Sequence, residues 1–437
     1  MIDYWHCQHE TLADAMLHFC GLVKDNWPRP LITGVFYGYT FSQFGRQAAG
    51  GHLDIARVLR SPAVDYLSGP QTYQPYSRDI GGTGMSRGLP ESCALHGKLW
   101  LDELDQPTHL GTVGDKAYSC TLPDAVSLLR RNVAQPLMRG HGLWYYDFGP
   151  RFSSGWWDDP ALISEIRRMK DLFDPRVDRE WVSPADVLML VDLETFYQTG
   201  HSFRSDPVSE PALDQCASAI YRSGACFHAA WLSDLELIEW DRYRTVVLAN
   251  AWVLSRAQRQ VLRERAAAGA RHLVWAYAPG YSDGERLCRR SMEELTGMSL
   301  ERLEMPVPPR APGLSAPGCR VAPLFAARDG HAETVSVFDG TGAPAVARKE
   351  LPGHTAWFCS LPPVEPDLLR AIFRASGAHI YSDAGDVIFC GQGLLCAHTL
   401  AGGSRVITLR SGREVAAELE PRSTTFFDAE TGARVLD

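Results

Sequence analysis

The sequence predicts an α/β protein in three parts: a partial (β/α) TIM-type barrel of about four strand–helix units, a flavodoxin/glutamine-amidotransferase-like α/β layer, and a small antiparallel β unit. Three observations predict this. Through residue 180, short apolar runs alternate with helical stripes across short connections, a pattern that requires parallel strands with crossover helices. Near Pro184 the alternation restarts with continuous apolar runs, as in strands buried on both faces. After about residue 385 the chain changes to short alternating segments split by Gly-rich turns, the pattern of an antiparallel sheet. The expected divisions are 1–180, 181–384 and 385–437.

The elements follow in order. Leu12, Ala15, Met16, Phe19, Cys20 and Val23 form a helical stripe, broken by Trp27-Pro28-Arg29-Pro30. Residues 31–39 read as a buried strand, 52–60 as a helix, and 63–70 as a second strand. A Gly-rich loop (71–90) leads to a third strand at 98–104. Residues 123–138 are helical and 142–148 form a fourth strand. Asp158-Asp159-Pro160 opens the next helix, with proline in its first turn and acids at the positive end of its dipole.

Beyond Pro184, strands are expected at 186–192, 244–250 and 272–277, with a helix at 210–224. Ser255 and Gln258 have capping-box spacing, and Gly269 sits where a terminating glycine belongs. The five prolines of 306–318 mark a loop or insertion. The closing strands are 386–390, 394–399, 404–409, 414–420 and 423–427.

Bulk properties narrow the function classes. The 437 residues suffice for two or three cores, and 45% apolar with 22% charged residues is ordinary for a soluble globular chain. A net charge of -9 argues against nucleic-acid or anionic-membrane partners. No apolar run approaches the roughly 20 residues of a membrane span, and the N-terminus has no secretory pattern. Eleven scattered cysteines, with no Cys-x-x-Cys pair, read as reduced thiols of a cytoplasmic protein. His6-Cys7-Gln8-His9 lacks a second ligand pair at zinc-like spacing, so neither metal nor cofactor is expected.

The chemistry concentrates at the third strand, His96-Gly97-Lys98-Leu99-Trp100-Leu101-Asp102-Glu103-Leu104-Asp105. An apolar strand that delivers carboxylates at its C-terminal tip is how a barrel presents catalytic groups. Glu103 lies near Trp100, Asp105, Thr108 and His109, and Tyr37, Tyr39, Tyr73, Tyr76, Trp144, Tyr145, Tyr146, Asp147, Trp156 and Trp157 cluster around the other strand ends. Aromatic floors with a fixed carboxylate suit a sugar, whose apolar face stacks on the ring while the carboxylate meets the developing oxocarbenium. At least half of these aromatics are expected to be packing residues.

The stretch from Gly50-Gly51-His52 through Ser68-Gly69-Pro70, then Leu95 to Trp100 and Glu103 to Leu110, resembles the second half of the barrel in family 42 β-galactosidase-like glycoside hydrolases. Residues 186–300 resemble that family's trimerisation domain, and the tail its small C-terminal β domain. The resemblance implies a retaining mechanism with Glu103 as nucleophile. Asp105, His109 and Asp147 would bind sugar hydroxyls or orient Glu103, and Trp100, Tyr39, Tyr73 and Trp144 would form the walls. It also implies a carbohydrate partner of β-galactoside type and a homo-oligomer, trimeric by likeness. Gln106-Pro107-Thr108-His109 departs from the family's Thr-Arg-Thr-His, which alters the local subsite.

The acid/base carboxylate of that family sits on an Asn-Glu motif at the fourth barrel strand, before the point where the resemblance begins. The mate of Glu103 is therefore expected outside these residues; Glu10, ahead of a helix, is a poor substitute. The competing expectation is an inactive truncated remnant that binds carbohydrate or mediates oligomerisation. Two further readings fail on the residues. Asn250-Ala251-Trp252 has no amidotransferase cysteine, and Leu193-Glu194-Thr195-Phe196 has no Gly-rich phosphate cradle.

Overall fold

The computed structural model describes residues 2–43, 46–111, 121–147, 155–179, 181–199 and 207–436. Its first part is a four-stranded parallel sheet: β1 (Gly34–Phe36), β2 (Tyr66–Pro70), β3 (Leu99–Leu104) and β4 (Gly142–Tyr145), in that spatial order. The expected strands are found, shorter than their apolar runs; residue 148 of the fourth lies outside the described residues. Among the described residues, the outer edges of β1 and β4 have no strand partner.

The helices of this part are α1 (Ile2–Asn26), α2 (Ile55–Arg60), the one-turn α3 (Pro75–Arg78), α4 (Pro90–Leu95), α5 (Leu122–Leu137) and α6 (Pro160–Val177). Two of them start on side-chain caps. Thr121 accepts from the Asp124 amide ahead of α5, and Asp159 accepts from the Ala161 amide ahead of α6 (2.7 Å). Both α3 and α4 fall within stretches expected to be loop. Each begins on a proline, whose fixed φ favours a first helical turn.

β3 shows the packing rule most clearly. Trp100, Asp102 and Leu104 are buried, while Leu99, Leu101 and Glu103 are partly exposed. The opposite face is left open: Phe36 and Leu99 are 53% and 41% exposed. On α1, Tyr4, Leu12, Phe19, Leu22 and Val23 also face solvent.

The second part is a seven-stranded sheet built from β5 (Val187–Val191), β6 (Phe227–Trp231), β7 (Thr245–Leu248), β8 (Arg271–Ala276), β11 (Glu333–Val337), β12 (Pro344–Leu351) and β13 (His354–Cys359). Its order is β11-β12-β13-β8-β7-β5-β6. Counting the parallel strands β5, β6, β7, β8 and β13 as one to five gives 2-1-3-4-5, the flavodoxin-like doubly wound order, with β12 and β11 added antiparallel. A separate hairpin pairs β9 (Leu300–Leu303) with β10 (Leu324–Ala327).

The helices here are α7 (Glu194–Thr199), α8 (Cys216–Arg222), α9 (Arg256–Val261), α10 (Arg289–Thr296) and α11 (Pro366–Ser376). The Ser255–Gln258 capping box is formed at α9.

In the tail, β14 (Val387–Gly391), β15 (Leu394–Thr399), β18 (Ser423–Asp428) and β19 (Arg434–Leu436) form one antiparallel sheet, and β16 (Gly403–Thr408) pairs with β17 (Glu414–Leu419). This sheet rests on α5: Arg422 makes a paired contact with Asp124 (2.8 Å to each oxygen), and Ser127 and Thr424 hydroxyls meet at 3.1 Å.

The edge strand β6 is closed off by α4. The Ala229 amide donates to Glu91 and the Trp231 amide to Ser92 (2.8 Å), so alternate outward N–H groups of the edge find side-chain acceptors. The first α/β layer and the second are thereby locked together at one helix.

Candidate active site

The site is assembled at the C-terminal ends of β1–β4. In register, Pro70, Glu103 and Trp144 lie abreast on neighbouring strands, as do Phe36, Ser68 and Leu101 two residues earlier. Abreast residues of a parallel sheet share a face, and so do residues two apart on a strand. Phe36, Ser68, Leu101, Glu103 and Trp144 therefore line the open face. The Trp144 indole donates to the Ser68 hydroxyl (3.2 Å), which itself donates to the Leu101 carbonyl (2.8 Å). Phe36 meets Trp144 edge-on at 6.2 Å.

Glu103 is half-buried, and among the described residues its carboxylate carries no hydrogen bond or ion pair. Burial, then the charge of Asp105, push its pKa up to about 7, against a smaller opposing pull from Arg78. Asp105 is fully engaged: Arg78 forms an ion pair with one oxygen, and the Tyr73 hydroxyl donates to the other at 2.6 Å.

Around them runs an alternating stack of rings and guanidinium groups. His52 stacks on Tyr39 (4.4 Å), Arg87 lies over both Tyr39 (4.7 Å) and Tyr73 (4.9 Å), and Arg78 covers Tyr73 at 4.1 Å. Cation–π contacts of this kind hold a loop in one geometry. Arg78 and Arg87 come from the Gly-rich loop after β2 and carry no periodic signal, so sequence reasoning missed them. His52 precedes α2 and was likewise not singled out as a contact.

Of the expected site residues, Glu103, Tyr39, Tyr73, Asp105 and Trp144 are brought together. Trp100 is not: it is wholly buried, beneath Gly88, where a Cβ would stand 2.3 Å from its ring. Its indole donates to Asp102 (2.6 Å), whose pKa burial pushes up to about 6 and which also accepts from Ser86 (2.9 Å). The physical reason is strand periodicity: residues three apart point to opposite faces, so Trp100 supports the strand from behind and offers no wall. His109 sits 3.2 Å from Asp159, the α6 cap. Asp147 accepts from the Trp156 amide (2.7 Å).

His6 and His9 belong to the docking of α1. His9 Nδ1 accepts from the Leu53 amide (2.9 Å), which leaves Nε2–H to donate to the Ala48 carbonyl (2.7 Å); His6 stacks on Tyr197 at 3.8 Å. Glu10 is exposed on the same helix. Among the described residues no group of three or more His, Cys, Asp or Glu is placed to hold a metal ion, and no helix is long and apolar enough to cross a membrane. A cleft of about 480 Å³ lies elsewhere, between α4 and β6. His228, one of its several polar residues, is satisfied by Ser183 (2.6 Å) and Tyr243 (2.8 Å).

The Glu103 carboxyl is therefore expected to hold its proton to about pH 7, well above a free glutamate. A carboxyl-carbon NMR titration checks this; a midpoint at the ordinary value of 4.5 contradicts the buried carboxyl.

No family model and no curated protein matches the chain. Solved structures do. The β-galactosidase of the haloarchaeon Halorubrum lacusprofundi aligns over 99% of this chain and 69% of its own, at 13% identity and a TM-score of 0.68. Gan42B, a GH42 β-galactosidase from G. stearothermophilus, aligns over 92% of this chain and 64% of its own, at 14% identity and a TM-score of 0.62. An exo-β-1,4-mannosidase from Opitutaceae bacterium strain TAV5 aligns over 83% and 66%, at 13% identity and a TM-score of 0.55. The chain thus spans about two thirds of these proteins, and it has the fold of GH42 β-galactosidases along almost its whole length.

Proposed function

We propose that this chain carries the nucleophile side of a retaining β-glycosidase site, with Glu103 as nucleophile. The observation that supports the reading most is an unpaired, half-buried carboxylate at a parallel-strand tip, abreast of an aromatic on the open face, in a fold shared with glycosidases. Glu103 would attack the anomeric carbon and form a glycosyl ester, which water then hydrolyses. Trp144, Tyr39, Tyr73 and Phe36 would bound the sugar, and Asp105, held by Arg78, would orient Glu103 or accept from a sugar hydroxyl.

Retention requires a second carboxylate about 5–5.5 Å from the first. Asp105 is held by Arg78 and Tyr73 and does not fill that role. The proton donor is expected from a further element against the open face, beyond the four strands described. A β-galactoside is the proposed substrate class; a β-mannoside is the second, on the strength of the mannosidase's fold. The 181–384 layer is read as an assembly module, trimeric by resemblance, and light scattering of the purified protein decides its stoichiometry.

A 2-deoxy-2-fluoro-β-galactoside with a dinitrophenyl leaving group tests the assignment on the chain as it stands. Such an aglycone departs without protonation, so trapping does not need the acid. Peptide mapping is expected to find the label on Glu103. Label on another carboxylate, or none with either the galactoside or the mannoside, overturns the reading.

A further inference from the structure

The Gly224 carbonyl accepts from the Tyr381 amide (2.8 Å), and the Tyr221 ring meets Phe389 edge-on at 5.5 Å. These contacts seat the segment just before β6 on β14. Two cysteines meet there. Cys226 and Cys390 both pack against the small core of Tyr381, Ile388 and Leu395, and their thiols share a hydrogen bond. Arg410 stands beside them, donating to the Tyr381 hydroxyl (3.3 Å) and to Asp186 (2.7 Å). Both residues keep some solvent exposure while their thiols are tucked inside, and the other buried cysteines among the described residues are Cys20, Cys93, Cys216, Cys359 and Cys396.

We propose that Cys226 and Cys390 form a peroxide-oxidisable dithiol whose disulfide staples the start of β6 to the C-terminal sheet. The two thiols are unequal. The Cys226 S–H, the Tyr381 hydroxyl and Arg410 pull the Cys390 pKa down against burial, while Cys226, facing Cys390 and buried, is pushed up. Cys390 is therefore the attacking thiolate and Cys226 the resolving thiol.

The chemistry balances with hydrogen peroxide as oxidant. The Cys390 sulfur attacks one peroxide oxygen, the O–O bond breaks, and the departing hydroxide takes a proton to become water. Cys390 is left as a sulfenic acid. The Cys226 sulfur then attacks the sulfenic sulfur, the S–O bond breaks, and a second water leaves with the Cys226 proton. Two thiols lose two electrons, and one peroxide becomes two waters.

The test uses the whole reduced protein. It is exposed to hydrogen peroxide, blocked with an alkylating agent and digested with chymotrypsin, which separates Cys390 from Cys396 at Leu394 or Leu395. A reductant-sensitive peptide joining Cys226 to Cys390 is expected, in preference to adducts that pair either one with the exposed Cys7, Cys288 or Cys319. In Cys226→Ser the reaction is expected to stop at a dimedone-reactive Cys390, and in Cys390→Ser Cys226 should stay reduced. Oxidation of the exposed thiols without the 226–390 peptide in the native chain overturns the proposal, whatever the variants do.

Discussion

Glu103→Gln is expected to remove covalent capture of the activated fluoroglycoside altogether, by roughly a thousandfold or more, and to raise thermal stability at alkaline pH. The first effect follows from chemistry: an amide is not a nucleophile, and the sheet has no second free carboxylate abreast of Trp144. The second follows from the electrostatics of the site. The pKa of Glu103 is raised from 4.5 to about 7 on folding, chiefly by burial. A group raised in this way favours the folded state fully below its unfolded value, and that contribution is lost as pH rises through the folded value. The neutral glutamine does not suffer this loss. At pH 8 the variant is therefore expected to melt above the native protein, and below pH 4.5 the gap should close. Sites held against stability for the sake of reactivity behave in this way. Calorimetry at both pH values, paired with the labelling rate, checks it. A variant that loses labelling but melts lower at pH 8 indicates that Glu103 has a structural partner.

Glu91→Ala is expected to be the most destabilising single change, by about 3–5 kcal/mol. Glu91 sits 2.5 Å from two nitrogens of Arg139, and both side chains are nearly sealed from solvent. Its second oxygen receives the Ala229 amide of the edge strand β6. Truncation leaves a buried guanidinium without its anion and an edge N–H without its acceptor. Arg139 keeps the Tyr221 hydroxyl, which carries no charge to offset it. Glu91→Gln keeps the edge acceptor and should lose less. Replacing both partners with apolar residues of similar volume should recover most of the loss, since the cost lies in the orphaned charge. Denaturation midpoints of the three variants decide; equal losses for Ala and Gln would show that the ion pair, not the edge contact, carries the energy.

How much of this was legible depended on sequence distance. The strand tips were, because an apolar run that ends abruptly in Asp102-Glu103-Leu104-Asp105 reports both a buried strand and where it meets solvent. The five expected strands of the tail were also legible to within a residue, since antiparallel hairpins carry their turns with them, while β19 was not foreseen. β6 was missed. Its five residues, Phe227 to Trp231, are short and are stabilised as an edge by Glu91 and Ser92, well over a hundred residues earlier. β13 was missed because it pairs in parallel with β8 across about 80 residues of intervening chain. Trp100 was misplaced although period-two alternation already sets it opposite Glu103.

By itself, then, the sequence determined the four strands of the first sheet, the acid at the third strand's tip and the likeness to family 42, because these rest on local periodicity and local spacing. Only the tertiary structure decided which groups share the open face with Glu103, that among the described residues its carboxylate has no partner while Asp105 is taken by Arg78 and Tyr73, and that one short helix, α4, closes the edge of β6. The reason is physical: a pKa, an ion pair and a capped edge depend on what surrounds a group in space, and those neighbours come from loops and strands that no periodicity links.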